Sequence, residues 1–398
     1  MTCAGCGLLC DDVTVESSGD GVRLLPPCGL GAQWFSDRVR RDADAPAATI
    51  LGQPADFGTA LTRAAELLRA ARRPLVYGFE GATVADARAA VALADRLGAL
   101  VATDGVVGAW PGAPAVPLRG ASTATLGEIR DRSRLVVIWR EDPAVTHPRL
   151  LERLGFVGDS PSRLGNERTL VVVDDRGTAT SQRADLQLRW ARERDLEALT
   201  HLQALQRGLA PRASDLQAEL HGLLERAQAV PHVAFVYGSG LIAGTGGQRR
   251  ALTLHELVRA LGQDRHAVTL TLPSGAGTRG AQDVLAWQTG YPESVDLVSG
   301  HPELITATRP LAAGQGVDVS LCVEGAQGAM PEGVTEIALC SLPVEGVEVS
   351  IRTAAAGVEA TGTAHRLDGI PLELQAPLPG DAPTAAALLA RLLAEIEA

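Results

Sequence analysis

Four of the six cysteines fall within the first 28 residues, as Cys3-x2-Cys6-x3-Cys10 followed by Cys28. This spacing favours an iron–sulfur cluster, because a [4Fe–4S] cubane takes four thiolates and a tight loop can supply three of them. Unligated thiols are the second reading and zinc the third. Structural zinc more often uses two separated C-x2-C pairs or histidines, and no histidine precedes His147. A disulfide framework is the weakest reading, since a 398-residue chain without a recognisable secretory leader is expected to keep its thiols reduced. Gly5 and Gly7 would let the loop tighten until its amides point at sulfur. Cys322 and Cys340 lie in β-type runs and read as small buried apolar residues.

No other catalytic constellation stands out. There is no HExxH, HxH, GxSxG or CxxCH pattern, and the eight histidines are scattered. His147, just after the Glu141-Asp142-Pro143 turn, is placed as a ligand-facing residue would be, though the favoured reading is a helix-start residue bonded to nearby backbone. All 36 basic residues are arginine, which excludes a Schiff-base lysine and a Walker-type phosphate lysine. The formal net charge of −11 argues against a nucleic-acid surface. Neither a long apolar run nor a basic amphipathic segment suggests a membrane, so a cytoplasmic location is expected.

The elements that must position these residues read as alternating strands and helices. Strands are expected at Pro74–Gly78, Ala99–Ala102, Leu135–Trp139, Leu170–Asp174, Val233–Tyr237, Val268–Leu272, Val317–Val323 and Glu336–Leu342. Helices are expected at Val84–Leu97, Leu196–Gln206, Leu216–Ala227 and Leu252–Leu261. The alternation predicts an α/β fold with parallel sheets, and ligand-facing loops at the carboxyl ends of strands. Gly78-Phe79-Glu80-Gly81, Asp104-Gly105, Glu141-Asp142-Pro143, Gly238-Ser239-Gly240 and Glu324-Gly325 occupy such positions, each as readable as an ordinary turn. With 46% hydrophobic residues a multidomain protein with a large core is expected.

Several stretches together carry a resemblance. The opening Cys3-Ala-Gly-Cys6-Gly-Leu-Leu-Cys10-Asp-Asp-Val with Cys28-Gly-Leu-Gly resembles the cluster segment of molybdopterin oxidoreductases, and more closely that of the B subunits of formylmethanofuran dehydrogenases. Arg73–Gly78, Trp139–Pro143 with Thr146–Arg149, Thr169–Arg176, Trp287–Pro292 and Gly357–Pro371 extend it almost to the end. The resemblance implies a small cysteine-rich cap over residues 1–46 and two doubly wound, Rossmann-like domains, with no carboxy-terminal β-barrel. The first domain would be residues 47–133, the second an insertion at 134–300, and 301–398 a return to the first with a final helix.

Members that carry out the redox reaction have a metal-binding cysteine followed by histidine, and the resemblance places Gly108 and Ala109 at those two positions. Neither can donate to a metal or move a proton. Arg140-Glu141-Asp142 also stands where the active family has a small residue, cysteine and asparagine. A working molybdopterin centre is therefore not expected, and no residue is assigned a catalytic role. This pattern resembles the B subunits of bacterial formyltransferase/hydrolase complexes, which act in tetrahydromethanopterin- and methanofuran-linked one-carbon metabolism. It implies three partners: a hydrolase subunit that is a zinc amidohydrolase, a β-helical subunit, and a formyltransferase subunit. Trp34, Phe35, Trp287 and Tyr291 are candidate contacts, or ordinary core. The alternatives are an active molybdenum- or tungsten-dependent dehydrogenase B subunit and an iron–sulfur electron carrier on a ligand-free scaffold.

Overall fold

The computed structural model describes residues 1–18, 21–39, 46–103, 115–158, 162–165, 167–305, 316–325, 330, 332–378 and 380–398. The chain is mixed α/β and divides into two compact units, residues 1–109 with 274–398 and residues 110–273.

In the first unit a hairpin of β1 (Thr14–Ser18) and β2 (Gly21–Leu25) leads into a helix at Gly29–Val39. β3 (Ala48–Ile50), β4 (Gln53–Pro54), β5 (Pro74–Gly78) and β6 (Leu100–Ala102) come next, with helices at Phe57–Ala70 and Val84–Leu97. The second unit contributes β7 (Leu135–Trp139), β8 (Thr169–Val173), β9 (Leu186–Leu188), β10 (His232–Tyr237) and β11 (His266–Thr271). These form a parallel sheet in the order β11-β10-β7-β8-β9. The chain then returns to the first unit through a helix at Thr278–Thr289, β12 (Val295–Asp296), β13 (Glu303–Leu304), β14 (Val319–Val323), β15 (Thr335–Cys340) and β16 (Val349–Arg352). A hairpin of β17 (Gly362–His365) and β18 (Pro371–Leu374) and a final helix, Ala385–Glu397, complete it. The first unit's large sheet runs β13-β12-β6-β5-β14-β15-β16-β3-β4, parallel from β6 to β16 and antiparallel at both edges.

These strands form because their apolar runs can be buried on both faces, as parallel strands require. Every residue of β5, β7, β10 and β14 is buried. In β5, Val76 packs among the helices while Leu75 and Tyr77 point to the opposite face, the two-residue alternation of a strand.

The domain bounds differ from the sequence expectation. The insertion begins at 110 rather than 134, because Ser122 and Thr123 pair with Thr269 and the Arg168 guanidinium binds the carbonyls of Ile129 and Ser133. The return begins at 274 rather than 301, because Ala281, Val284 and Leu285 of the helix at Thr278–Thr289 join the first unit's core. The cysteine-bearing segment falls within the first unit. Among the described residues no helix is long and apolar enough to cross a membrane.

One buried carboxylate ties the start of this fold to its end. Thr83 and Asp86 form a capping box at the helix Val84–Leu97, which closes on Gly98 at φ 60°. The second oxygen of Asp86 accepts the Ala386 amide at 2.7 Å, at the amino end of the last helix. Asp86→Ala removes an N-terminal cap bond and orphans buried donors on two helices. It is expected to destabilise the first unit by about 3 kcal/mol, read as a lower urea midpoint, with Asp86→Asn losing less.

Candidate functional site

The four amino-terminal cysteines come together around one turn and one helix start. The Cys3 amide donates to the Cys10 carbonyl at 2.8 Å and the Leu9 amide to the Cys6 carbonyl at 3.2 Å, with Leu9 held at φ 40°. The Gly5 amide points at Cys3 Sγ, 3.4 Å away. Cys28 precedes the helix Gly29–Val39, and its carbonyl accepts the Ala32 amide at 2.9 Å, so the positive end of that helix lies beside its thiol. A Cβ on Gly31 would stand 3.0 Å from Cys3 Sγ and 3.8 Å from Cys28 Sγ, so both sulfurs flank this glycine.

Burial pushes the Cys6 thiol up to about 12, and the neighbouring thiols of Cys10, Cys3 and Cys28 each oppose its ionisation further. A thiol so disfavoured as an anion is a poor nucleophile. In metal ligation a cation would take the place of the thiol proton. Among the described residues, no three or more His, Cys, Asp or Glu side chains are arranged around a single ion. A cubane spreads its four thiolates over separate irons. The donor set, with a sulfur-directed amide and a helix start, fits such a group.

The segment is anchored to late parts of the chain. The Thr2 amide binds Gln375 Oε1 at 2.8 Å, the Leu367 amide binds the Gly7 carbonyl at 2.9 Å, and Ala4 and Leu9 pack with Ala276, Ala364 and Leu374. Gly108 and Ala109 lie outside the described residues.

At the carboxyl end of β14 stands Glu324, buried at φ 48°. It accepts the Ser341 amide at 3.2 Å and the Thr353 hydroxyl. Burial pushes its carboxyl up to about 7, and the Asp86 carboxylate adds to this. The Arg38 guanidinium, at the end of the helix that starts after Cys28, feels both Glu324 and Cys340 and stacks 4.5 Å from the Trp34 ring centroid. The sequence marks Glu324-Gly325 only as a turn, and no local signal points to Arg38.

Other expected residues fall differently. His147 is 3% exposed, its Nδ1 lies 3.1 Å from Thr146 Oγ1, and burial pushes it down to about 4, so it is neutral. Arg140 turns inward at φ 54° and binds both carboxylate oxygens of Asp195, at 2.9 and 3.0 Å. Cys322 and Cys340 are buried with their sulfurs 3.9 Å apart. Phe35 is core, Trp34 and Tyr291 are half-buried, and Trp287 is 62% exposed beside the His365 ring.

No family model matches the chain. It is 27% identical over 409 residues to the B subunit of the tungsten-containing formylmethanofuran dehydrogenase 2 of Methanocaldococcus jannaschii, covering 94% of this chain and 92% of that one. The B subunit of the formyltransferase/hydrolase complex of Methylorubrum extorquens is 27% identical over 279 residues, covering 68% of this chain and 72% of the relative. Among solved structures, a chain of the M. extorquens formyltransferase/hydrolase complex, determined with methylofuran, aligns with a TM-score of 0.69 at 26% identity. The alignment covers 88% of this chain and 99% of that one. The chain is a homologue of these B subunits.

The buried Glu324 makes stability depend on pH. Its folded-state value of about 7 lies above the ordinary 4.5, so its contribution is fully present below pH 4.5 and is lost as pH rises through 7. Glu324→Gln removes that titration. The stability of the natural protein minus that of the variant is expected to fall by roughly 3 kcal/mol across this window, measured by urea unfolding in a pH series.

Proposed function

We propose that this chain is the B subunit of a formyltransferase/hydrolase complex, derived from a formylmethanofuran dehydrogenase subunit and without a redox step of its own. The observation that carries this reading is the pair Gly108-Ala109 where the active family needs a metal-binding cysteine and histidine. The alignment with nearly the whole length of a chain from a solved formyltransferase/hydrolase complex supports it. Its fold would be a cysteine-bearing cap with two doubly wound α/β domains. Its partners would be a zinc amidohydrolase subunit, a β-helical subunit and a formyltransferase subunit, acting in the cytoplasm on formyl groups carried by tetrahydromethanopterin and a methanofuran-type coenzyme and ending in formate.

Cys3, Cys6, Cys10 and Cys28 would hold a [4Fe–4S] cluster, which when bound supplies a one-electron centre and a rigid cross-link. In a subunit without redox turnover the cross-link is the useful property. The chain's own residues fix its geometry: Gly5 directs an amide at sulfur, Gly31 leaves room for two thiols, and the β17–β18 hairpin anchors the loop.

A second reading, an active tungsten- or molybdenum-dependent subunit, is favoured by the longer sequence coverage against the tungsten enzyme, 94% of this chain against 68%. Metal analysis after anaerobic purification separates the two. About four irons per chain with no tungsten, molybdenum or pterin is expected. Stoichiometric tungsten or molybdenum with formylmethanofuran oxidation would overturn the non-redox reading. Cys6→Ser is expected to lose the iron and the absorbance near ~400 nm that marks such clusters. Coexpressed with its three partners, the variant should still support formate release, while a chain that fails to copurify with them would defeat the assignment.

A further inference from the structure

The sheet of the second unit reverses its strand order between β7 and β10. β8 and β9 lie on one side, and β10 and β11 lie on the other. In an open parallel sheet a ligand enters at this point, outside the carboxyl ends of the strands. The loop after β10, Gly238-Ser239-Gly240, has the bare backbone that lets an anion approach amide N–H groups.

That space is already taken by the chain. A Cβ on Gly238 would overlap Glu141 Oε2 and stand 2.8 Å from its Cδ, and a Cβ on Gly240 would overlap the Arg140 carbonyl oxygen. The amides of Gly240 and Asp142 hydrogen-bond the Glu141 carboxylate, and the Thr146 hydroxyl donates to Oε1 at 3.3 Å. Glu141 is only 8% exposed. Arg140, the adjacent cation, is held away by Asp195, by Asp175 at 3.0 Å and by the Trp190 carbonyl at 2.6 Å. His147, close by in the chain, is neutral.

We propose that Glu141 is an internal anion that fills the glycine-loop hole at the β7–β10 switch point and closes the second unit to phosphate, pyrophosphate and nucleotide ligands. An entering phosphate would meet a buried like charge, with the neighbouring guanidinium engaged elsewhere. The inference extends the non-redox reading but stands on geometry within this unit. Tungsten in the purified protein would refute that reading and leave this one intact, whereas pyrophosphate binding would do the reverse.

The test is calorimetric titration of the full-length chain with pyrophosphate and with guanosine diphosphate, beside Glu141→Ala and Glu141→Gln. The natural protein and E141Q, whose amide still fills the hole, are expected to show no saturable heat. E141A should bind pyrophosphate at least about tenfold more tightly than the natural protein. If E141A does not fold, Glu141→Ser takes its place under the same expectation. Saturable binding of either ligand by the natural protein, or folded E141A and E141S that remain as blind as the natural chain, overturns the proposal.

Discussion

The first unit depends on the pairing of β5 with β14. It brings Pro74 opposite Val319 and Gly78 opposite Val323, joining a strand laid down before the insertion to one laid down after it. Without this ladder the large sheet would fall into two edges. Closing so long a loop is tolerable because the entropic cost grows only with the logarithm of its length. The ladder also dictates the turns beyond it. Gly78, at φ 105°, lies so close to Gly325 that a Cβ on it would stand 2.9 Å from the Gly325 Cα, so neither position admits a side chain. The Phe79 amide then donates to the Val323 carbonyl and the Gly81 amide to the Glu324 carbonyl at 2.7 Å, which holds Glu324 at its left-handed φ and its carboxyl inside.

Legibility in the sequence depends on which forces are local. The apolar runs of β5, β7 and β10 announce themselves because both faces of those strands are buried. Thr83, Asp86 and Gly98 mark their helix by chemistry acting over three or four residues. Pairing between β5 and β14 leaves no such mark, and the helix Thr278–Thr289 escapes sequence reading because its start is a glycine-rich turn without a side-chain cap. Its absence from the expected elements pushes the expected domain bound downstream. The β17–β18 hairpin likewise leaves no local mark, since it is held by Leu372 and Leu374 packing beside the amino-terminal loop.

The candidate site shows the same division. Cysteine spacing is a local signal, and Cys3 and Cys28 flank Gly31 while Cys6 feels the other three thiols. The anchoring of their loop by Gln375, Leu367 and Ala364 is not, since those residues are ordinary in isolation. Arg140-Glu141-Asp142 looks like an exposed charged turn, yet Arg140 is 2% exposed. Its positive φ turns the guanidinium inward to Asp195, whose carboxylate also accepts the Trp190 indole at 2.8 Å. Each of these buried charges is tolerable only because the other is there.

Both units share one solution at the carboxyl ends of their parallel strands. Amide groups there point out of the sheet, and backbone donors withdrawn from water must find an acceptor. In the second unit the Glu141 carboxylate takes the Gly240 and Asp142 amides; in the first, Glu324 takes the Ser341 amide and the Thr353 hydroxyl. Burial raises the proton affinity of both carboxyls. An acid in such a place is costly as an anion, but an unfilled donor is costly too. A carboxyl oxygen resolves the conflict by accepting these hydrogen bonds, which offset part of its desolvation. In both units the carboxyl oxygens thus occupy the strand-end donors themselves.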